Sequence, residues 1–246
     1  MKRVLKVAAI SSTLLLSVAN ADFLRAEVGA GAWFSKSSGN IKADSSGLSG
    51  IDSSKEKTKT NMYAWALFKH FVPVVPNLKV EYSKVESIGL ANGNFSGYNI
   101  VGENESKLTM KQLDIIPYYN ILDNTFWTTI DLGVDIKIID AQYSVSNVPA
   151  SNVTKTIPLP MGYARARVEV PFTGIGIEAD AKYIKYSDNL AYDAKAKIDY
   201  TFDITPLIKP AIEIGYRVQK VEVDRLSDLK TDLDFKGIYA GLMLRF

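Results

Sequence analysis

Strict alternation of apolar and polar residues runs through most of the chain beyond residue 22. In 126–138, Phe126, Thr128, Ile130, Leu132, Val134, Ile136 and Ile138 share one parity, while Trp127, Thr129, Asp131, Gly133, Asp135 and Lys137 share the other. A helix of period 3.6 cannot sort these residues onto two faces; a β-strand does so by geometry. The same reading gives ten expected strands, near 23–35, 60–71, 78–87, 106–118, 126–138, 161–170, 175–186, 192–202, 211–223 and 233–246. In 60–71 both faces are apolar, so its inward set stays open. Each segment is close to the ~9–11 residues a tilted strand needs to cross a bilayer.

The connections alternate in length. With the first strand starting in the periplasm, the odd connections (36–59, 88–105, 139–160, 187–191 and 224–232) are expected to face outward as loops, four of them long. The even connections (72–77, 119–125, 171–174 and 203–210) are expected to be compact inner turns, and each carries Pro, Gly, Asp or Asn. This is the asymmetry of an outer-membrane barrel. The predicted fold is all-β, a transmembrane antiparallel up-and-down β-barrel of about ten strands. Aromatics near the strand ends suggest two girdles: Phe71, Tyr118, Tyr119, Phe126, Phe172, Phe202 and Phe246 inside, and Phe34, Tyr143, Tyr163, Tyr186 and Tyr192 outside.

Both ends of the chain fit export to the outer membrane. Residues 1–21 carry a basic start (Lys2, Arg3, Lys6), an apolar stretch over 7–18 and the site Ala19-Asn20-Ala21, the layout of a cleaved signal peptide. The domain reading is therefore 1–21 signal peptide and 22–246 barrel. The last strand alternates Ile238, Ala240, Leu242, Leu244 and Phe246, ending on an aromatic carboxylate. Phe246 is the expected signal to the barrel-assembly machinery.

Charge removes several classes of function. The chain has 29 Lys and Arg against 27 Asp and Glu; without Lys2, Arg3 and Lys6 the count is 26 against 27. The slight basic excess belongs to the leader, so nucleic acid is not an expected partner. Outer-membrane lipid and lipopolysaccharide are. Oligomeric state is not legible, and a monomer is the default. With no cysteine there is no disulfide, thiol nucleophile or thiolate metal site.

Several segments resemble a family of small, largely uncharacterised Gram-negative outer-membrane β-barrel proteins. They are Glu27-Val28-Gly29-Ala30-Gly31-Ala32-Trp33, Pro73-Val74-Val75-Pro76-Asn77, Tyr118-Tyr119-Asn120-Ile121-Leu122-Asp123-Asn124, Gly215-Tyr216-Arg217 and Gly237-Ile238-Tyr239-Ala240-Gly241-Leu242. The resemblance implies fold and location, and it brings no catalytic residues.

The polar parity holds both charge signs, so opposite charges are expected to pair across the lumen. Asp131 and Asp135, with Arg165 and Arg167 on the adjacent strand, are the candidate constriction. The leading functional expectation is a non-catalytic structural or narrow pore-type barrel with a mixed-charge lumen. The alternative is a surface adhesin or ligand-binding barrel acting through 36–59, 88–105 and 139–160. An enzyme ranks third: the single histidine, His70, falls beside an inner turn, with a turn-stabilising role as the simpler reading. Asp131 and Asp135, four apart on one strand, lie ~13 Å apart at ~3.3 Å per residue and cannot share a proton. The G-x-G stretches at Gly29 and Gly174 have no following helix to make a phosphate site; room for bulky interior side chains is the better reading. No cofactor or metal site is expected.

Overall fold

The computed structural model describes residues 24–43, 48–49, 58–72, 74–95, 98–146, 148–187, 189–205, 207–226 and 229–246. The expected signal peptide lies outside the described residues. The strands are β1 (Arg25–Ala43), β2 (Leu48–Ser49), β3 (Lys59–Lys69), β4 (Asn77–Phe95), β5 (Tyr98–Thr125), β6 (Thr128–Val145), β7 (Val148–Glu169), β8 (Ile175–Tyr186), β9 (Asn189–Thr201), β10 (Lys209–Leu226) and β11 (Leu229–Arg245). Each long strand pairs antiparallel with its neighbour in sequence, and β11 returns to pair with β1. The two-residue β2 is an appendage on β1. Ten strands thus close into an up-and-down barrel.

Closure follows from the medium. Hydrocarbon offers no hydrogen bonds to an open sheet edge, so only a closed ladder is tolerated there. The seam runs without a break from Glu27↔Arg245 to Ala43↔Leu229. The Phe246 amide, one residue further, donates to the Ala26 carbonyl at 2.9 Å.

Side-chain parity sets the two faces. On β1, Val28 and Phe34 are exposed while Glu27 and Trp33 are buried. On β6, Ile130, Leu132, Val134 and Ile136 face out and Asp131, Asp135 and Lys137 face in. The exposed apolar band continues round the barrel through Leu78 and Tyr82, Ile177 and Tyr183, Ile198 and Tyr200, Ile212, Ile214 and Tyr216, and Ile238, Leu242 and Leu244. A continuous belt of this kind is a lipid-facing surface. The chain is a β-barrel of the Gram-negative outer-membrane type.

Three expectations are corrected. Segments 88–105 and 139–160 are not loops: β4 and β5 stay paired up to Phe95↔Tyr98, and β6 and β7 up to Val145↔Val148. In 36–59, β1 continues through Ala43 and β3 begins at Lys59. Their outward faces are polar, but the inward parity continues in part, as in Ile139, Ala141, Tyr143 and Val145, and the backbone pairing extends with it. The expected inner turn 119–125 is also strand, and the chain reverses at Phe126–Trp127 between Thr125 and Thr128. Finally, Tyr118, Tyr143 and Tyr163 are buried in the lumen rather than set in the girdles, at 1%, 6% and 3% exposure. Tyr163 shares the parity of Arg165 and Arg167, and that parity decides its face. Phe71, Tyr119, Phe126, Phe172 and Phe202 are exposed at the inner end, and Phe34 and Tyr186 toward the outer end.

Candidate functional site

The lumen is the interior that the described residues enclose, and its lining is layered. The lower and middle part is ionic. Seven basic side chains (Lys79, Lys137, Arg165, Arg167, Lys182, Lys197, Arg217) and ten acidic ones (Glu27, Glu81, Asp114, Asp131, Asp135, Glu178, Asp180, Asp193, Asp199, Glu213) are buried there. Three further cations, Arg25, Lys195 and Arg245, reach the same carboxylates from partly buried positions. Glu169 bonds Arg25 and Arg167 from a similarly open position, so ten basic side chains meet eleven acidic ones among the described residues. A near balance is what burial demands, because an uncompensated charge there is costly.

Some of these pairs join neighbouring strands. Arg165 on β7 meets Asp131 on β6 at 2.6 Å and Glu178 on β8 at 2.7 Å. Lys137 meets Asp114 at 2.8 Å, and Arg217 meets Asp193 at 2.6 Å. Other pairs cross the lumen. Lys182 on β8 bonds Glu81 on β4 at 2.6 Å and also contacts Asp114 on β5. Lys195 on β9 reaches Glu81 at 2.6 Å, and Lys79 on β4 reaches Asp180 on β8 at 3.3 Å.

All four residues of the expected constriction point inward, and three of them are linked: Arg165 bonds Asp131, and Arg165 and Arg167 share Glu178, at 2.7 and 3.3 Å. Arg167 also spans β8 to reach Asp199 on β9 with two bonds, at 2.6 and 3.0 Å. It can do so because Gly176 lies beneath it: a Cβ there would come within 2.1 Å of the guanidinium. Asp135 is fully buried, and neither of its carboxylate oxygens accepts a hydrogen bond among the described residues. The other G-x-G stretch follows similar logic. The indole of Trp65 lies against Gly29, where a Cβ would meet Nε1 at 2.5 Å. Gly174 has φ +71° in the β7–β8 turn, a conformation in which L side chains are strained.

The ionic layer ends in a pair of amides that the pattern reading passed over. Gln112 on β5 and Gln219 on β10 are diametrically placed in the ten-strand ring. They exchange hydrogen bonds across the lumen: Gln112 Nε2 donates to Gln219 Oε1 at 3.1 Å, and Gln219 Nε2 donates back at 2.7 Å. Toward the outer end the lumen becomes apolar, packed with Trp33, Val85, Leu108, Met110, Ile139 and Phe235 among others. A pocket beside Tyr63, Trp65 and Glu213 has about 30 Å³ open to the centres of water molecules. That is room for about two waters, at ~10–15 Å³ each. Around it Tyr63 donates to Glu213 at 2.7 Å, and Lys197 and Arg217 lie 4.6 Å over the rings of Trp65 and Trp33.

His70 sits outside the lumen, at the inner turn. Its Nδ1 accepts from the Val72 amide at 3.1 Å, which leaves Nε2 as the donor to the Pro76 carbonyl, also at 3.1 Å. The backbone amide of His70 donates to Asn77 Oδ1 at 2.9 Å. The ring staples a proline-rich turn. Among the described residues no group of three or more His, Asp or Glu side chains is arranged to hold a metal ion.

No protein-family model matches the chain, and no curated protein sequence is significantly similar to it. Among solved structures it is similar to the attachment invasion locus protein Ail of Yersinia pestis, crystallised with the heparin analogue sucrose octasulfate. That match has 10% identity and a TM-score of 0.35, and covers 91% of this chain and 99% of Ail. It is also similar to the outer-membrane protease OmpT of Escherichia coli (10% identity, TM-score 0.40, 92% and 98% of the two chains). A third is the outer-membrane protein OprG of Pseudomonas aeruginosa (12% identity, TM-score 0.33, 91% and 95%). At such identities no activity carries over.

Proposed function

We propose that this chain is a non-catalytic structural barrel of the outer membrane, closed to solutes, and that it serves as a rigid membrane anchor for the sheet it raises on the cell surface. The observation that carries this reading is the stacked closure of the lumen: cross-lumen ion pairs, the Gln112–Gln219 bridge, then an apolar plug. A permeating ion would have to break bonds in the first two layers and dehydrate in the third. The turn-stapling geometry of His70 also favours a reading without catalysis. In this proposal residues 1–21 are removed on export, Phe246 addresses the assembly machinery, and the barrel works as a monomer. Asp131, Asp135, Arg165 and Arg167 then belong to the plug and are not a filter.

Planar-bilayer recording of the refolded protein tests the proposal. No stepwise conductance is expected in molar salt. Steady unitary currents that change when Arg165 or Asp131 is neutralised would restore the narrow-pore reading.

A further inference from the structure

The outward faces of the strands change character abruptly at the top of the apolar belt. Going up each strand, the first outward polar residue is lysine on six of them: Lys36 (β1), Lys84 (β4), Lys111 (β5), Lys185 (β8), Lys220 (β10) and Lys236 (β11). Lys36 and Lys236 stand directly opposite one another across the closing seam. Like charges facing each other across a ladder, ~5 Å apart at Cβ, destabilise the sheet. Among the described residues no acid bonds either lysine, although Asp234 stands two residues above Lys236 on the same face. The acids above, Asp232 and Asp234, together with Glu222, are turned to Lys220, at 3.2, 4.0 and 3.4 Å. Neither Lys36 nor Lys236 has a salt bridge among the described residues. Lys84 and Lys111 repeat the arrangement, but there Lys84 is neutralised by Glu86 at 2.7 Å.

We infer that Lys36 and Lys236 form a headgroup site for a phosphate-bearing lipid of the outer leaflet. The ammonium groups sit at the height where the hydrocarbon belt ends and headgroup phosphates begin. Directly below, Phe34, Ile238 and Tyr216 are exposed at 44%, 54% and 48%, an apolar ridge for acyl chains. An anion bridging the two lysines turns a repulsive cross-strand pair into an attractive three-body contact, and it does so across the seam where β1 meets β11. The bound lipid therefore clasps the barrel shut. Each lysine near a charged lipid surface contributes about fivefold to binding, roughly 25-fold for two.

The test uses full-length mature protein refolded in neutral detergent and titrated with diphosphorylated lipid A, with dephosphorylated lipid A and with inorganic phosphate, read by native mass spectrometry and thermal unfolding. The wild type is expected to bind the diphosphorylated lipid and unfold at higher temperature with it. K36Q/K236Q is expected to bind it roughly 25-fold more weakly, and without lipid to be at least as stable as the wild type. K36E provides a second variant: it places opposite charges across the seam, so it should stabilise the lipid-free barrel and lose the lipid response. Equal affinity in wild type and K36Q/K236Q, equal binding of the dephosphorylated lipid, or inorganic phosphate binding as tightly as the lipid would each overturn the inference.

Discussion

Gln112 and Gln219 hold each other's amides from opposite walls of the barrel, at 3.1 and 2.7 Å. Both are buried, with the ionic layer below and the apolar plug above. Replacing one with leucine leaves the other amide buried and unpaired, so Q112L or Q219L should cost about 1–3 kcal/mol. Replacing both extends the plug and should be nearly neutral. A double-mutant cycle in urea, in detergent micelles, measures this. Additive single costs would show that the amides do not act as a pair.

Arg167 and Gly176 make a second coupled pair, because the guanidinium reaches Asp199 only across a residue without a side chain. G176A should displace the guanidinium from Asp199, and R167M should strip the same carboxylate directly. Breaking a buried pair by removing one partner costs about 3–5 kcal/mol. Arg245, at 2.8 Å from the same carboxylate, should hold R167M to the low end of that range. G176A in an R167M background should add little, as seen by comparing unfolding midpoints of the three variants.

The inner turn between β5 and β6 is built from residues that resist its shape. Phe126 and Trp127 have φ of 51° and 60°, where glycine or asparagine is the normal choice. Non-glycine residues there cost about 1–2 kcal/mol each. The aromatic rings are exposed at 85% and 53%, at the membrane interface where such rings anchor a barrel. F126N/W127G should raise the unfolding temperature in detergent and lose that gain in lipid vesicles. A gain of equal size in both media would mean that the rings contribute no anchoring.

Phe246 closes the seam through its backbone, accepting from and donating to Ala26. Its side chain is about one-third exposed toward lipid. Deleting it should leave refolding yield in detergent close to wild type while lowering the amount of folded barrel in the outer membrane of cells. Heat-modifiable migration on gels reports both. Equal loss in the two settings would assign Phe246 to stability rather than to assembly.

The parity of side chains, the strand number and the β1–β11 seam were legible because the bilayer punishes any error in them. Most of the lumen's charged residues were legible for the same reason, though Asp114, which bonds Lys137, was passed over. Their partners were not: Arg167 finds Asp199 two strands away, and Lys182 finds Glu81 across the lumen, distances that sequence spacing does not encode. The Gln112–Gln219 bridge was missed because neutral amides carry no charge to flag them, though their parity matches Asp114 and Arg217. The tall outer hairpins were missed because their outward faces are polar, although Ile139, Ala141, Tyr143 and Val145 keep the inward parity.

The two kinds of ion pair give assembly a direction. Contacts such as Arg165–Asp131 and Lys137–Asp114 can form as soon as adjacent strands zip together. Lys182–Glu81, Lys195–Glu81 and Lys79–Asp180 exist only once the sheet has curled upon itself. A partly curled sheet would therefore carry unmatched charge toward hydrocarbon, and each added strand makes that state worse until the circle is complete. Closure is the step at which these distant charges meet their partners.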